Sequence, residues 1–232
     1  MKESINKISV LKGNISSVIY GKEDVIELVI ISLLSDGHIL LEDAPGVGKT
    51  TLAKALAMSI AGRFKRVQFT PDLLPGDILG TYIFNPKDAE FKFREGPIFT
   101  NILLADEINR ASPRTQSALL EAMNERQVSI EGNRFVLTNP FIVIATQNPV
   151  EYTGTYPLPE AQLDRFFMKI TIGYPDKKTE VSILNSQKLE HPINGIKNVL
   201  DIEEVIKIQG EVRNITVKDT ITEYITEIVN QT

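Results

Sequence analysis

The chain contains no cysteine, and it has only two histidines, His38 and His191, among its 232 residues. Without cysteine there is no disulfide bond, no thiolate nucleophile and no cysteine-ligated zinc site. Two histidines so distant in the sequence are too few for a histidine metal cluster. These absences exclude thiol chemistry, and they are compatible with a reducing cytoplasm.

Long apolar runs and an excess of basic residues are also missing. No segment approaches the roughly 18–20 apolar residues of a membrane-spanning helix, and residues 1–7 lack the apolar core of a signal peptide. A cytoplasmic protein without membrane insertion is therefore expected. The formal net charge of −5 provides no overall basic field that would attract nucleic acid. The length fits one large domain, or one domain with a small appendage.

A glycine-rich loop follows the apolar run at residues 39–41 and precedes a helical pattern. Residues 43–51 read Asp-Ala-Pro-Gly-Val-Gly-Lys-Thr-Thr. The glycines let successive backbone N–H groups face a triphosphate, and the helix N-terminus adds the positive end of its dipole. Lys49 adds a full charge, and the Thr50 hydroxyl is placed for a Mg²⁺ shared with the phosphates. The residues predicted to bind the nucleotide here are Pro45, Gly46, Val47, Gly48, Lys49, Thr50 and Thr51.

One position departs from the usual loop pattern, G-x-x-x-x-G-K-[ST]. Asp43 stands where the first glycine is expected. The alternative interpretation of such a match is a tight strand-to-helix turn with a solvated lysine. The strand before the loop, the helix after it and a second motif downstream favour a phosphate-binding loop.

The second motif is an apolar run that ends in two carboxylates. Residues 102–107 read Ile-Leu-Leu-Ala-Asp-Glu, which fits a buried strand of a parallel sheet. The carboxyl ends of such strands face the ligand, so Asp106 and Glu107 are expected on the same rim as Lys49. Adjacent strand residues point to opposite sides, and we therefore expect Asp106 to hold Mg²⁺ and Glu107 to activate water. Taken alone, the motif is also compatible with a strand that enters a solvated turn.

The succession of apolar strands and helices predicts an α/β fold with a mainly parallel sheet flanked by helices. Two β-hairpins interrupt it, and the strand signals fade after residue 175. We therefore predict a nucleotide-binding core at 1–175 and a helical segment at 176–232. The predicted sheet strands are 39–41, 66–69, 102–105, 141–145 and 166–172. The hairpins are 82–94 and 127–137, and the helices are 4–16, 22–34, 50–60, 113–124, 178–189, 202–209 and 221–229.

The order of these motifs resembles the MoxR group of AAA+ ATPases, P-loop NTPases of the helix-two-insert branch. The resemblance covers roughly residues 15–175, and an aspartate at position 43 is typical of the group. It implies a Mg²⁺-dependent ATPase. The strings that carry it are Leu-Glu-Asp-Ala-Pro-Gly-Val-Gly-Lys-Thr at 41–50, Asp-Glu-Ile-Asn-Arg-Ala at 106–111, Gln-Ser-Ala-Leu-Leu-Glu-Ala-Met at 116–123 and Leu-Pro-Glu-Ala-Gln-Leu-Asp-Arg-Phe at 158–166.

The resemblance implies further site residues, each with a simpler alternative. Asn148 falls where the family senses the γ-phosphate, although Asn-Pro is also a common turn. Arg165 falls where a finger reaches the neighbouring subunit's nucleotide; a surface ion pair is its alternative, and Arg110 and Arg114 are rival arginines. The segment at 18–21, with Tyr20 and Gly21, is similar to the one that lies against adenine. Its alternative is an ordinary interhelical turn.

The resemblance also implies partners. Such ATPases form rings, here expected to be a hexamer, and act on protein clients, often alongside von Willebrand A-type domain proteins. The hairpins would face the pore or the client, with Phe91 and Phe93 exposed. The family's helical lid carries a second sensor arginine, whereas Arg213 lies in no recognisable sensor string, so an incomplete lid is expected. A nucleic-acid motor and a nucleotide switch with negligible turnover remain alternative functions.

Overall fold

The computed structural model of the protein describes residues 2–149, 154–186 and 191–231. Within these ranges the chain forms nine strands and nine α-helices, joined by short connections. The strands are β1 (Ile39–Glu42), β2 (Phe64–Gln68), β3 (Gly80–Asn85), β4 (Glu90–Glu95), β5 (Ile102–Asp106), β6 (Gln127–Ile130), β7 (Asn133–Val136), β8 (Ile142–Gln147) and β9 (Met168–Ile170). The helices are α1 (Lys2–Ser16), α2 (Glu23–Leu34), α3 (Lys49–Ser59), α4 (Pro75–Leu79), α5 (Pro113–Glu125), α6 (Glu160–Leu163), α7 (Lys177–Ser186), α8 (Ile202–Arg213) and α9 (Asp219–Gln231).

Five of the strands form a parallel sheet in the order β2-β5-β8-β1-β9. The interior strand β5 is an apolar run ending in Asp106, and all of its residues are buried because both faces of the sheet are covered. The carboxyl ends meet at one edge, where Gln68 lies beside Asp106 and Glu42 beside Gln147. The predicted α/β fold with a mainly parallel sheet is confirmed.

Each face of the sheet buries its own hydrophobic cluster. Alternation along β5 sends Leu104 to one cluster and Leu103 to the other. The first cluster contains side chains of α1, α2, α3 and α8, and the second contains α5 and the bases of the hairpins. Leu52 and Leu56 anchor α3 in the first cluster. The helix that follows the glycine-rich loop therefore rests on a packed base.

Two separate hairpins, β3–β4 and β6–β7, stand outside the sheet, as the sequence predicts. They contact each other, because the rings of Phe93 and Phe135 stack with centroids 4.0 Å apart. Asn133 Nδ2 also donates to the Tyr82 hydroxyl at 2.7 Å. Phe91 is 68% exposed, as expected, but the expected exposure of Phe93 is wrong. Its ring packs between the two hairpins and against the second cluster.

His38 is a buried residue just before β1, and its imidazole connects β8 to α5 through two hydrogen bonds. Its Nδ1 accepts a hydrogen bond from the Val143 amide at 3.0 Å, which leaves the proton on Nε2 for the Met123 carbonyl at 3.2 Å. Burial, aided by the nearby Arg126 guanidinium, lowers the pKa of His38 to about 3. The imidazole is therefore neutral in the folded protein at ordinary pH.

The helices after β9 differ in how they pack. Helix α8 joins the first cluster through Val205 and Ile208, and Gln209 Nε2 donates to the Leu33 carbonyl at 2.7 Å. Helix α9 is exposed along its length. Of the helix predicted at 178–189, α7 accounts for the part up to Ser186, and positions 187–189 lie outside the described residues. The division at residue 175 falls between β9 and α7 and stays a prediction. None of the described helices is long and apolar enough to cross a membrane.

Helix α6 was not predicted, and two further elements differ from the sequence prediction for a clear physical reason. The strand predicted at 166–172 shortens to β9 because the Phe166 amide closes a turn on Leu163, and the amides of Ile172 and Gly173 bond to a side chain instead of a strand. Helix α4 lies in the Pro- and Gly-rich stretch at 70–97, where no helix was predicted. Its start is stabilised by the Asp77 carboxylate, which accepts from the Leu74 amide.

Candidate functional site

The glycine-rich loop forms an open cradle at the start of α3. Gly46 and Gly48 have φ angles of 86° and 96°, a left-handed conformation that side chains with a Cβ rarely adopt. A Cβ at either glycine would meet nothing within 4 Å, so it is backbone conformation that calls for glycine here. No side chain caps the N-terminus of α3. The first N–H groups of the helix are therefore available to an anion.

Lys49 lies in the mouth of this cradle. Its Nζ donates to the backbone carbonyls of Asp43 at 2.8 Å and Ala44 at 3.2 Å, both within the loop. These neutral partners leave the ammonium charge uncompensated by any carboxylate among the contacts described. An anionic phosphate is a stronger acceptor than a carbonyl, so the lysine is set to exchange one for the other.

A cavity of about 360 Å³ opens between the loop and the carboxyl ends of β2, β5 and β8. It brings together nine of the predicted site residues, among them Lys49, Thr50, Asp106, Glu107 and Asn148. Pro45, Gly46, Gly48 and Thr51 complete the loop side, and Arg66 and Gln68 complete the strand side. Asn148 follows β8 and is itself buried. Residues from four separate stretches of the chain thus converge on one space.

Both oxygens of the buried Asp106 carboxylate have partners. Oδ1 accepts from the Thr146 hydroxyl at 2.6 Å. Oδ2 accepts from Arg66 Nη2 at 2.6 Å and from Nε at 3.1 Å. The carboxylate is therefore oriented from one side by a neighbouring strand and neutralised from the other by an arginine of β2.

Glu107 leaves the strand with φ 58° and ψ 50°, a left-handed conformation uncommon for a residue with a side chain. Its amide donates to the Thr146 hydroxyl at 2.9 Å. Its carboxylate accepts from Gln68 Nε2 at 2.5 Å and pairs with Arg110 Nε at 3.2 Å. Because Glu107 is not extended, the expectation that it and Asp106 point to opposite sides is wrong. Both line the same cavity, and strained backbone of this kind clusters at functional sites.

The three candidate arginines occupy different places. Arg110 pairs with Glu107 of its own chain. Arg114 is exposed on the first turn of α5. Arg165, half-buried after α6, directs Nη1 at the Leu120 carbonyl, 3.5 Å away. In the described part of the chain, Arg165 lines neither this cavity nor the one beside it.

A second cavity of about 500 Å³ lies on the other side of the loop and shares Gly46, Gly48 and Thr51 with the first. Tyr20 lines it, together with mostly apolar residues. Gly21 lies outside the lining, where a Cβ would come within 2.9 Å of Thr179 Oγ1. The remaining lining residues are Val18, Ile19, Lys22, Val47, Gly173, Tyr174, Pro175, Glu180, Ile183, Leu184, His191 and Pro192.

The two cavities together have the form of a nucleotide site. An apolar cavity suits a base, and the polar one beside it, behind the shared loop, suits phosphates. The Thr50 hydroxyl and the Asp106 carboxylate are hard oxygen donors, which fit Mg²⁺. Within the described residues no cluster of three or more histidine, cysteine or acidic groups forms a metal cage.

Sequence reasoning missed Arg66, Gln68 and Thr146. Arg66 and Gln68 alternate on one face at the end of β2, and this polar i, i+2 pair beside the Asp-Glu strand was an available signal. Thr146 gave no such signal, because its role depends on the register between β5 and β8.

Comparison with known proteins agrees with this geometry. A family model described as "ATPase family associated with various cellular activities (AAA)" matches residues 38–168. The uncharacterized protein YeaC of Bacillus subtilis is 55% identical over 219 residues, which are 94% of this chain and 68% of that protein. The chaperone MoxR1 of Mycobacterium tuberculosis is 44% identical over 93% of this chain, which spans 56% of its length. A crystal structure of a Cytophaga hutchinsonii protein superimposes with a TM-score of 0.88 at 41% identity, covering 98% of this chain and 69% of that one.

Proposed function

Since the chain belongs to the MoxR group of AAA+ ATPases, we propose that it binds ATP with Mg²⁺ and hydrolyses it to remodel or mature a protein client. The observation that carries the proposal is the 360 Å³ cavity in which Lys49 and Thr50 face Asp106, Glu107 and Asn148. The cavity contains a lysine for the phosphates, a hydroxyl and a carboxylate for Mg²⁺, a second carboxylate for the attacking water and an amide for the γ-phosphate.

The phosphates bind to the loop, and the base occupies the second cavity. In this proposal Lys49 gives up the Asp43 and Ala44 carbonyls and donates to the phosphates, together with the uncapped N–H groups of α3. Tyr20 then lines the space for adenine. Gly21 acts only indirectly, since it lets the chain turn against Thr179.

Thr50 and Asp106 would hold Mg²⁺. The ion, when bound, neutralises charge on the phosphate oxygens. Thr146 keeps the Asp106 carboxylate oriented toward the cavity through its 2.6 Å hydrogen bond. Arg66 pairs with Asp106 Oδ2 and balances the negative charge of this carboxylate when the ion is absent.

Glu107 orients the attacking water and accepts its proton, and Asn148 positions the γ-phosphate. Gln68 and Arg110 hold the Glu107 carboxylate in place through its Oε2 atom. Arg165 lies outside the cavity of its own chain, which supports a role at a neighbour's nucleotide in a ring, expected to be a hexamer. An arginine provided in trans accelerates related phosphoryl transfers by about 10³–10⁵-fold.

A protein client is favoured over nucleic acid by the charges of the hairpins. Between residues 85 and 95 the three basic residues Lys87, Lys92 and Arg94 are offset by Asp88, Glu90 and Glu95, and Lys92 is paired with Asp88, so the hairpin β3–β4 carries no basic tract. The exposed ring of Phe91 offers an apolar contact instead. A relative is named as a chaperone, which supports chaperone-like work. The proposal extends to a von Willebrand A-type domain protein as partner, which rests on the family resemblance alone.

Steady-state hydrolysis and nucleotide binding test the proposal together. We expect Lys49→Ala to lose ATP binding, and Glu107→Gln to retain binding while turnover falls by at least about 100-fold. Lys54→Ala and Glu125→Gln, exposed positions on α3 and α5, are the matched controls and should behave as wild type. Binding without measurable wild-type turnover would favour the nucleotide switch. Turnover that rises only with added DNA or RNA would favour the motor.

A further inference from the structure

Asp43 occupies the position where the usual phosphate-loop pattern has glycine, and nothing in the proposed reaction uses its side chain. The structure nevertheless buries it, with 7% exposed. Oδ2 accepts from the amides of Ile172 and Gly173, each at 2.7 Å, and Oδ1 accepts from the Ala44 amide at 2.9 Å. A glycine at this position would make none of these three charge-assisted hydrogen bonds.

The bonds join the phosphate loop to a distant stretch of the chain, residues 172–174, named here the hinge segment. It follows β9 after one intervening residue, Thr171, and leads to α7. Gly173 has a φ of 67°, and the two successive amides at its start face the same carboxylate oxygen. Lys22 holds the opposite side of the segment, because its Nζ donates to the carbonyls of Ile172 at 2.6 Å and Tyr174 at 3.1 Å.

The hinge segment and α7 form one wall of the 500 Å³ cavity, and the phosphate loop forms another. Gly173 and Tyr174 belong to the first wall, as do Ile183 and Leu184 of α7. Gly46 and Val47 belong to the second wall. Asp43 is the residue through which these two walls are hydrogen-bonded to each other in the described structure.

We propose that Asp43 is a positioning residue that holds the base-binding wall against the phosphate loop, so that base and phosphates are bound as one unit. The inference rests on the proposed nucleotide binding. It adds a role for Asp43, the residue that replaces the first glycine of the usual phosphate-loop pattern. Without the carboxylate, the amides of Ile172 and Gly173 lose their acceptor, and the wall is free to move away. Phosphate binding to the loop itself is retained.

Calorimetry with Mg²⁺-ATP and with Mg²⁺-tripolyphosphate distinguishes the contribution of the base-binding wall from that of the phosphate loop. In Asp43→Gly we expect ATP affinity to fall at least about 10-fold, as for loss of one or more charge-assisted hydrogen bonds. Tripolyphosphate affinity should stay within about twofold, because that probe lacks a base. Asp43→Asn keeps one carbonyl oxygen as acceptor and should recover part of the ATP affinity. In turnover, KM for ATP should rise more than kcat falls.

Asp36→Asn is the matched control, since this half-buried carboxylate pairs with Arg126 and Arg213 away from both cavities. Its ratio of ATP to tripolyphosphate affinity should equal that of wild type, even if the protein is less stable. Lys22→Met releases the other side of the hinge segment and should shift the ratio in the same direction as Asp43→Gly. If Asp43→Gly fails to fold, Asp43→Asn decides the matter, because it should still lower the affinity for ATP while the affinity for tripolyphosphate stays unchanged.

An unchanged ATP affinity in Asp43→Gly, or an equal loss for both probes, would overturn the positioning role. Hydrogen exchange gives an independent check, since the amides of Ile172 and Gly173 should exchange faster in Asp43→Gly and recover in Asp43→Asn. If wild type binds neither probe, the proposed function itself fails. That result is distinct from wild-type binding with an unshifted variant, which rejects only the inference about Asp43.

Discussion

Arg66 Nη2 lies 2.6 Å from Asp106 Oδ2, so the carboxylate proposed to bind magnesium already has a positive partner from the adjacent strand. The arginine is half-exposed, whereas the aspartate is buried. An exposed guanidinium can swing away, but a buried carboxylate without a cation is costly. The pair therefore makes the entry of a metal ion an exchange of one cation for another.

Replacing Arg66 by methionine should ease the entry of Mg²⁺. Asp106 then has no cation to exchange, and the Mg²⁺ concentration for half-maximal nucleotide binding should fall about threefold to tenfold, equal to roughly 1 kcal/mol for a half-exposed ion pair. A Mg²⁺ titration with a fluorescent ATP analogue measures it. The control is Arg63→Met, because Arg63 is an exposed arginine immediately before β2. A half-maximal concentration that stays the same or rises would contradict the exchange.

Gln68 should matter for turnover and not for binding. Its Nε2 holds Glu107 Oε2 at 2.5 Å, whereas its own position is at the strand side of the cavity, opposite the loop. In Gln68→Leu we expect kcat to fall about tenfold while KM changes by less than about twofold, as when a general base loses its orientation. Gln127→Leu, at the start of β6, is the control. A rise in KM with kcat unchanged would place Gln68 in binding instead.

Arg165 should act across an interface between subunits. Arg165→Ala and Lys49→Ala are each expected to be inactive, yet about a quarter of the sites in an equal random mixture would combine both residues if the interface is head-to-tail. Activity should therefore partly recover on mixing, with sedimentation confirming that mixed assemblies form. Arg114→Ala and Arg110→Ala, mixed in the same way, test the rival arginines. No recovery in a proven mixed assembly would assign Arg165 a role within its own chain.

His38 should make the fold acid-sensitive. Its pKa is about 3 in the folded protein against an ordinary value near 6.5, so below pH 6.5 the unfolded chain binds a proton that the folded chain excludes. The free energy of unfolding should therefore decrease by up to about 1.4 kcal/mol per pH unit between pH 6.5 and about 3. Urea unfolding at pH 7.5 and pH 5 measures the slope.

The matched pair for this experiment is His38→Asn and His191→Asn. The first should remove the part of the slope that comes from the buried imidazole, at a cost in stability at every pH. The second replaces an exposed histidine and should keep the wild-type slope. An unchanged slope in His38→Asn would show that other groups cause the acid sensitivity.

The parts of the site that the sequence predicted are those that local patterns encode. The loop around Lys49 depends on glycines and a following helix, and Asp106 depends on a buried strand. Both signals lie within a few consecutive residues, so they could be recognised without knowing which distant residues pack against them. The hairpin at β6–β7 was equally local, since Glu131 and Gly132 make a two-residue turn between alternating strands.

The parts that were missed depend on neighbours distant in the sequence. Glu107 was assumed to continue the strand, but its amide bonds to the Thr146 hydroxyl of β8, and its φ becomes positive. Arg66 acquires its role only because β2 pairs with β5 in a register that places it near Asp106. Phe93 was expected to be exposed, but Phe135 of the second hairpin covers it. Each of these contacts joins two separate stretches of the chain, so the sequence of one element alone does not reveal it.

The ring stack between Phe93 and Phe135 has a mechanical consequence. Strand β4 of the first hairpin continues into β5, which ends at Asp106, and β7 of the second continues into β8, which leads to Asn148. A displacement of either hairpin tip is thus shared between two neighbouring strands, β5 and β8, which both end at the strand side of the phosphate cavity. If the hairpins contact a client as proposed, its load would reach Asp106 and Asn148 through both links between the hairpins, the Phe93–Phe135 stack and the Asn133–Tyr82 hydrogen bond.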